Sequence, residues 1–277
     1  MSKVKMQNFM NVIGYVQSFK ITTFKSGTKK ANLAIKDRNT NNVVFIGLFD
    51  KKDGFDFNGY NVDLEGLKKI LVDKEGNSRD VLVRATGRCS ETKGTSVDGS
   101  ERIYENYTAF KIEPYKDDEV QGAALTFAGI VENAKYSEDK NGEPIAKFRV
   151  GTYKKNKDGN ITGVENMTLV AHGEVAEKLE DKGVEKFTSA RFVCDMLNVL
   201  PKRNIHGDFI GEPIREVRIV KFTDFLDEDD CEDEVRTYKK AKKLEYGEFI
   251  EVSKDEQEKH VESSKSVDDE MIDDLDF

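Results

Sequence analysis

Apolar and polar residues alternate along several short segments of the first 226 residues. Between Lys30 and Lys36, the apolar residues Ala31, Leu33 and Ile35 occupy every second position. A period of two residues is typical of a β-strand with one buried face. Similar runs, separated by turn-forming residues, predict further strands at 43–49, 81–87, 104–112, 146–150, 167–171, 192–197 and 217–220. The equivalent segments 11–20 and 126–135 come before these and supply the first strand of each copy.

Two segments have apolar residues at helical spacing instead. They are residues 63–71 and residues 175–179, and each follows a predicted third strand. The sequence therefore predicts two units in which a short helix separates strand three from strand four.

These two units are also related by a weak internal repeat. Gly14 and Gly129 lie 115 positions apart, and the same offset relates Gly27 to Gly142. Turn glycines and apolar strand positions stay in register over each copy, although identity is low. An internal repeat of this kind indicates the same fold formed twice.

Five strands with one helix between the third and fourth is the element order of the OB barrel. A β-sandwich would also show short alternating strands, but the helix in the same place in both copies favours the barrel. The predicted fold is mainly β, with two tandem OB-fold five-stranded barrels and a disordered acidic C-terminal tail. The predicted domains are residues 1–117, 118–226 and 227–277, the last an acidic linker and interaction tail.

Charge is distributed unevenly along the chain. Residues 1–220 carry 35 Lys and Arg against 32 Asp and Glu, whereas residues 221–277 carry 9 against 21. The formal net charge of −9 therefore conceals a slightly basic body. A basic body with an acidic end indicates a polyanion-binding surface and an interaction tail.

The run 227–234 contains seven acids around Cys231, and we expect it to be a linker that buries nothing. Residues 235–252 contain enough apolar residues for a short docked element.

The sequence offers little for catalysis. Cys89, Cys194 and Cys231 are widely spaced, as are the three histidines, so no zinc spacing is present. We expect Cys89 and Cys194 to be buried structural thiols. Phosphate-binding glycine motifs are absent. The sequence therefore predicts a protein that is not an enzyme and has no catalytic residues, cofactor or metal. A metal-dependent nuclease with an unfamiliar arrangement of catalytic residues is the alternative.

A barrel that binds single strands needs cations for phosphates and rings on which bases stack. We expect Tyr107 to point outward, because Thr108, Phe110 and Ile112 are predicted to face the core. For Phe19, a place in the core is the alternative to contact with DNA. The predicted single-stranded DNA-binding residues are Phe19, Lys20, Lys25, Lys29, Lys30, Lys36, Arg84, Arg88, Tyr104 and Tyr107 in the first copy, and Lys135, Tyr136, Lys147, Arg149, Tyr153, Lys154, Arg191, Lys202 and Arg203 in the second.

The last ten residues contain six acids, no bases and two apolar residues near the end. Solubility alone does not explain a leucine and a phenylalanine among terminal acids. The predicted partner-binding residues are Asp273, Asp274, Leu275, Asp276 and Phe277.

Two OB-like units followed by a tail ending in Asp-Asp-Leu-Asp-Phe resemble the single-stranded DNA-binding protein family, and the two-barrel arrangement is most similar to bacteriophage members. Residues 8–226 resemble the family in their arrangement of strands and helices, and residues 273–277 resemble it in their sequence motif. It implies that the barrels coat single-stranded DNA during replication, recombination or repair. It also implies that the tail tip recruits partner enzymes and competes with DNA for the basic groove.

The chain departs from the common bacterial form in having two barrels and no tryptophan. We therefore expect a monomer or small homo-oligomer. No apolar run has the roughly 20 residues needed to cross a bilayer, and no secretory signal is evident, so a cytoplasmic location without membrane contact is expected. Single-stranded RNA binding and a protein-adaptor role remain alternatives.

Overall fold

The structure is a computed structural model, and it describes residues 4–252 apart from residues 97, 200, 204–208 and 211. The described chain is mainly β and forms two five-stranded barrels whose strands belong to one continuous sheet. Each barrel has a helix between its third and fourth barrel strands. The predicted fold class, two tandem OB-type barrels, is therefore confirmed; the distal part of the predicted tail lies outside the described residues.

The first barrel, called barrel 1, contains seven strands and one helix, of which five strands form the barrel wall. In chain order these are β1 (Gln7–Thr23), β2 (Lys29–Lys36), β3 (Val43–Phe49), β4 (Phe55–Phe57), β5 (Tyr60–Val62), α1 (Leu64–Leu71), β6 (Leu82–Thr95) and β7 (Glu101–Pro114). The barrel closes because β1 pairs with both β2 and β6, while β3 pairs in parallel with β7. The hairpin β4–β5 is an insertion that the sequence pattern did not predict.

The second barrel, called barrel 2, repeats the order of the five wall strands and the helix, but its additional hairpin follows the fourth wall strand. It contains β8 (Gly122–Glu138), β9 (Pro144–Lys155), β10 (Ile161–His172), α2 (Gly173–Asp181), β11 (Ser189–Val199), β12 (Lys202–Arg203), β13 (Phe209–Ile210) and β14 (Ile214–Leu226). The strand β8 pairs with both β9 and β11, and β10 pairs in parallel with β14, so this barrel closes in the same way. The equivalent hairpin glycines Gly27 and Gly142 both have φ of 83°, a left-handed conformation that favours glycine at both turns.

The barrels are joined by antiparallel pairing of their first strands. Residues 7–13 of β1 pair with residues 122–128 of β8, and Met10 lies opposite Leu125. Those two residues are themselves 115 positions apart, so they are equivalent in the repeat. A local two-fold axis therefore passes between Met10 and Leu125, and the two barrels face each other as the subunits of a symmetric dimer would.

The barrel interiors form one apolar cluster of aliphatic and aromatic side chains. Phe127, Phe148 and Phe192 are fully buried in barrel 2, and Phe148 stacks on Phe192 with ring centroids 5.9 Å apart. Cys89 and Cys194 are both buried free thiols, as predicted. Burial raises the pKa of each thiol well above its ordinary value, which keeps both thiols protonated.

The acidic run 227–234 is not the unburied linker that its composition predicted. It leads into a third helix, α3 (Glu232–Ala241), and Cys231 before it is fully buried. Val235, Tyr238 and Ala241 are spaced three residues apart and form the buried side of α3, while Glu232 and Asp233 are exposed. A charged segment can dock when its few apolar residues share one helical face, and composition does not reveal that.

The three helices have eight to ten residues each, and no helix in the described part of the chain is long and apolar enough to span a membrane.

The inward and outward positions of β7 also differ from the prediction. Ala109 and Ile112 are buried, whereas Phe110 is 46% exposed. The cause is an irregularity in the β6–β7 pairing, where Thr86 pairs with Lys111 and Gly87 pairs with Ala109, so that Phe110 is left out of the register. A β-bulge changes the side on which the residues beyond it lie, and the alternation extrapolated along β7 was therefore wrong.

Candidate nucleic-acid interface

Barrel 1 presents a row of outward side chains on β1, β2, β3 and β7. Cross-strand pairing places Lys20 opposite Asn32, Asn32 opposite Gly47, and Gly47 opposite Thr108. We call this row, with the neighbouring outward rings of β3 and β7, the barrel 1 strand face. Strands two and three of an OB barrel form its usual ligand-binding surface.

Three phenylalanine rings stand on this face. Phe45 is 62% exposed and Phe49 is 42% exposed, and both lie two residues from Gly47 on β3. Val44, Ile46 and Leu48 between them point into the core, so the rings must point outward. Phe110 of β7 joins them on the same side of the barrel. Exposed rings of this size are unusual on a monomer surface and mark a binding site more often than chance.

Cationic side chains lie against these rings. The Nζ of Lys30 is 5.4 Å from the centroid of Phe49, and the guanidinium carbon of Arg88 is 5.3 Å from the centroid of Phe110. The Lys30 side chain passes over Gly47, where an added Cβ would lie 2.5 Å from the lysine Cε. Glycine at position 47 therefore leaves room for the lysine to lie along the face.

The matching surface of barrel 2, called the barrel 2 strand face, has a different composition. Pairing places Lys135 opposite Lys147, Lys147 opposite Val170, and Val170 opposite Arg218. Lys135 and Lys147 are exposed. Among the barrel 2 residues that the structure describes, the exposed large apolar side chains are Ile214 and Val220, and neither is aromatic.

One end of the barrel 2 strand face is covered by helix α3. The Tyr238 hydroxyl lies 2.7 Å from Glu132 Oε1 and 2.9 Å from Asn166 Oδ1, and the ring is 1% exposed. A Cβ added at Gly151 would lie 1.7 Å from this hydroxyl, so α3 can dock only because position 151 is glycine. Burial, together with the bond to Glu132, raises the pKa of Tyr238 and keeps the phenol neutral.

The same end carries ion pairs from both barrels. Arg149 lies 2.6 Å from Glu91 of barrel 1 and 3.2 Å from Glu132. The Glu91 carboxylate is almost fully buried and also accepts a hydrogen bond from the Thr168 amide at 2.6 Å. Burial raises the pKa of Glu132, but hydrogen bonds from Lys242 and Tyr238 outweigh it, so the net pKa is lowered and the carboxylate stays charged. Arg149 is therefore held by two carboxylates.

A second ion pair between the barrels engages Arg88. The Nη1 atom of Arg88 lies 3.2 Å from Oε1 of Glu165 on β10, and the same guanidinium lies against the ring of Phe110. Burial raises the pKa of Glu165, and the charge of Arg88 opposes that rise. Arg88 thus links barrel 2 to the edge of the barrel 1 strand face.

Several predicted DNA-binding residues are buried or engaged with other groups of the protein. Phe19 is 5% exposed in the core. Tyr107 packs against the core and donates a hydrogen bond to Glu105, because the bulge turns it inward. The others with partners are Tyr136 (to the Val184 carbonyl), Tyr153 (to the Glu234 carbonyl), Arg84 (to Asn11), Arg88 (to Glu165), Arg149 (to Glu91 and Glu132) and Arg191 (to Asp224).

The remaining predicted residues lie at or near the surface. Those with exposed or half-exposed side chains are Lys20, Lys25, Lys29, Lys30, Lys36, Tyr104, Lys135, Lys147 and Lys154. Lys202 and Arg203 form β12, but their side chains lie outside the described residues, as do Asp273, Asp274, Leu275, Asp276 and Phe277 entirely.

Phe45, Phe49 and Phe110 were not predicted to be surface rings. The sequence does contain a signal for the first two rings. Phe45 and Phe49 lie on one side of β3, because they alternate with the apolar residues Val44, Ile46 and Leu48 on the other side. No sequence signal placed Phe110, since its orientation depends on the β6–β7 bulge. Within the described ranges, no group of three or more His, Cys, Asp or Glu side chains is arranged to hold a metal ion.

Comparison with solved structures finds the same fold in a single-stranded DNA-binding protein from Thermus aquaticus. The wild-type structure has a TM-score of 0.52 and 11% sequence identity, covering 79% of this chain and 93% of that one. A deletion mutant of the same protein has a TM-score of 0.51 and 13% identity, covering 80% and 96%. A scan against family models and a search of curated proteins find no match to this sequence. The chain therefore has the same fold as the single-stranded DNA-binding protein from Thermus aquaticus.

Proposed function

We propose that this chain is a non-enzymatic protein that binds single-stranded DNA without strong sequence preference during replication, recombination or repair. The observation that carries the proposal is the cluster of exposed rings Phe45, Phe49 and Phe110 beside Lys20 and Lys30 on the strand face of an OB barrel. Bases stack on aromatic rings irrespective of their identity, and lysines follow the phosphate path. The fold that the chain shares with the Thermus aquaticus protein supports the same conclusion.

A salt-dependent titration tests this function directly. The full chain is titrated against single-stranded DNA, duplex DNA and single-stranded RNA of matched length and sequence. We expect the single strands to bind well above the duplex, with affinity falling as salt rises, because phosphate contacts release counterions. Equal binding of duplex would contradict the proposal. Stronger binding of RNA would assign the chain to the alternative class, since the 2′-hydroxyl distinguishes RNA from DNA.

An activity control separates a binding protein from a nuclease. End-labelled single strands are incubated with the pure protein and Mg²⁺ and then examined for length. We expect intact strands after prolonged incubation, because the described residues offer no metal-binding cluster. Progressive shortening that survives further purification would contradict the non-enzymatic assignment.

We also propose that the acidic C-terminal segment recruits partner enzymes through Asp273, Asp274, Leu275, Asp276 and Phe277. The support is sequence-based: two apolar residues stand among acids, which suits a basic-rimmed apolar pocket on another protein. Removing residues 268–277 is expected to strengthen single-strand binding and to abolish recruitment of replication or repair proteins.

A second tail variant separates these two effects. Replacing Leu275 and Phe277 by alanine keeps the acids, so it should abolish recruitment without strengthening single-strand binding. Weaker DNA binding by the truncated chain would rule out competition between the tail and DNA.

A further inference from the structure

The two strand faces are comparable position by position. The row Lys20, Asn32, Gly47 and Thr108 in barrel 1 corresponds to the row Lys135, Lys147, Val170 and Arg218 in barrel 2, because each row crosses the same four strands in the same pairing. Neighbouring outward residues can therefore be matched by counting two positions along each strand.

At the matched positions, all of them among the described residues, barrel 2 has no phenylalanine. Phe45 and Phe49 flank Gly47, whereas Thr168 and His172 flank Val170. The His172 ring lies 3.1 Å from Glu216 and is thereby engaged with a carboxylate. Phe110 lies two residues after Thr108, and its counterpart two residues after Arg218 is Val220.

Cationic groups are placed differently on the two faces, and barrel 1 has Lys30 where the 115-residue offset gives Ile145 in barrel 2. Two cross-strand lysines, Lys135 and Lys147, are adjacent and exposed in barrel 2, whereas the corresponding pair in barrel 1 is Lys20 and Asn32. Within the part of the chain that the structure describes, neither Lys135 nor Lys147 is held in a side-chain ion pair, unlike the neighbouring Arg149.

Helix α3 restricts the barrel 2 strand face further. It lies over Gly151 and Asn166 through Tyr238, and Lys242 lies 2.6 Å from Glu132. In barrel 1 the position equivalent to Gly151 by the 115-residue offset is Lys36, whose half-buried side chain would clash with a ring placed like that of Tyr238. The face that remains in barrel 2 is short and charged, without the phenylalanines of barrel 1.

From these differences we propose that the two barrels contact one strand in chemically different ways. Of the two strand faces that the structure describes, the face of barrel 1 stacks bases, on Phe45, Phe49 and Phe110. The described face of barrel 2 contacts the phosphodiester backbone instead, through Lys135 and Lys147. This inference rests on the proposed single-strand binding, and it adds that one of the two described strand faces is the base-stacking face.

The division can be tested because stacking and phosphate contacts depend differently on salt. The affinity for a single-stranded oligonucleotide is measured across a salt series for three double variants of the full chain. F45A/F49A removes the rings, K135Q/K147Q removes the barrel 2 cations, and T168A/H172A is the control matched to the ring variant. All of these side chains are at least partly exposed, and thermal unfolding checks that each variant is folded.

We expect F45A/F49A to lose about 5- to 150-fold in affinity for each ring that stacks a base, with an unchanged salt slope. K135Q/K147Q should instead lower the slope of log affinity against log salt by about 0.7 for each phosphate that is no longer neutralised. T168A/H172A should match the unchanged chain in both quantities.

Three results would overturn the division of labour: a lower salt slope in F45A/F49A alone, an unchanged slope in K135Q/K147Q, or a loss in T168A/H172A comparable with that of F45A/F49A. Absence of single-strand binding by the unchanged chain would instead refute the proposed function itself. The two failures are therefore distinguishable in one set of titrations.

Discussion

Barrel 1 and barrel 2 share a fold, a strand order and a two-fold relation, yet their strand faces have diverged. The described face of barrel 1 carries exposed phenylalanine rings beside its lysines, whereas the corresponding face of barrel 2 carries lysines without phenylalanines and is partly covered by α3. Buried positions of the two barrels remain similar because packing restricts them. The comparison shows that repetition of a fold preserves its core while its surface is free to take a second role.

The strongest expected effect concerns α3, which packs against barrel 2. Tyr238→Ala removes a fully buried ring together with its hydrogen bonds, and we expect a loss of about 3–5 kcal/mol in the free energy of unfolding. Tyr246→Ala is the matched control, because Tyr246 follows α3 closely and is fully exposed. Urea denaturation measures both. Equal stability of the two variants would mean that α3 is not an integral part of barrel 2.

The next largest effect tests why α3 docks on one barrel alone. Gly151→Ala places a Cβ against the Tyr238 hydroxyl and the Asn166 side chain, and we expect destabilisation of about 1–3 kcal/mol by overpacking. Lys36→Ala puts the same residue at the equivalent position of barrel 1, there by shortening a partly exposed side chain, and it should alter stability little. A Gly151→Ala chain as stable as its parent would show that the helix adjusts without cost, and the difference between the barrels would then need another explanation.

A third pair of variants compares the two faces at a single matched position. Phe110→Ala should weaken binding of a single-stranded oligonucleotide by about 1–3 kcal/mol, since a base loses its stacking partner. Val220→Ala, the barrel 2 counterpart, should leave affinity unchanged although Val220 is also exposed. Fluorescence anisotropy with a labelled oligonucleotide measures both. Similar losses would indicate that both faces contact bases.

The smallest expected effect is a gain. His172→Phe places a ring at the barrel 2 position that corresponds to Phe49, and we expect affinity to rise by at most about 1 kcal/mol, the lower end of the stacking range. His172→Leu is the control, because it adds apolar surface without a flat ring. The same anisotropy titration detects the change. A gain in the leucine variant equal to that in the phenylalanine variant would argue against stacking as its cause.

Much of the fold was predictable from local patterns. Alternation of apolar and polar residues identified most barrel strands, and helical spacing located α1 and α2. The 115-residue offset revealed the internal repeat, and in the structure the equivalent residues Met10 and Leu125 pair across the local two-fold axis. These features depend on neighbours within a few residues, and for that reason they are visible in a single sequence. The β4–β5 hairpin was not assigned, and α3 was anticipated only as a docked element somewhere within residues 235–252, because each is short and its apolar residues are few.

The candidate site was predicted less well. Lysines such as Lys20 and Lys147 lie at the surface as expected, but Arg149 is held by Glu91, a residue 58 positions away on the other barrel. Phe19 satisfied the composition of a stacking residue and is buried, while Phe45 was overlooked within an apolar run. Which rings and cations are open to a ligand depends on long-range contacts, and residue type alone does not report them.

By itself, the sequence determined that the chain forms the same small barrel twice, because strand alternation, turn glycines and helix position are local and recur in register. Only the tertiary structure decided which face of each barrel is available. The bulge that turns Phe110 outward, the carboxylates that hold Arg149 and the docking of Tyr238 on Gly151 all join residues far apart in the chain. Such contacts form when the barrels close and meet, so the difference between the two strand faces is a property of the assembled fold.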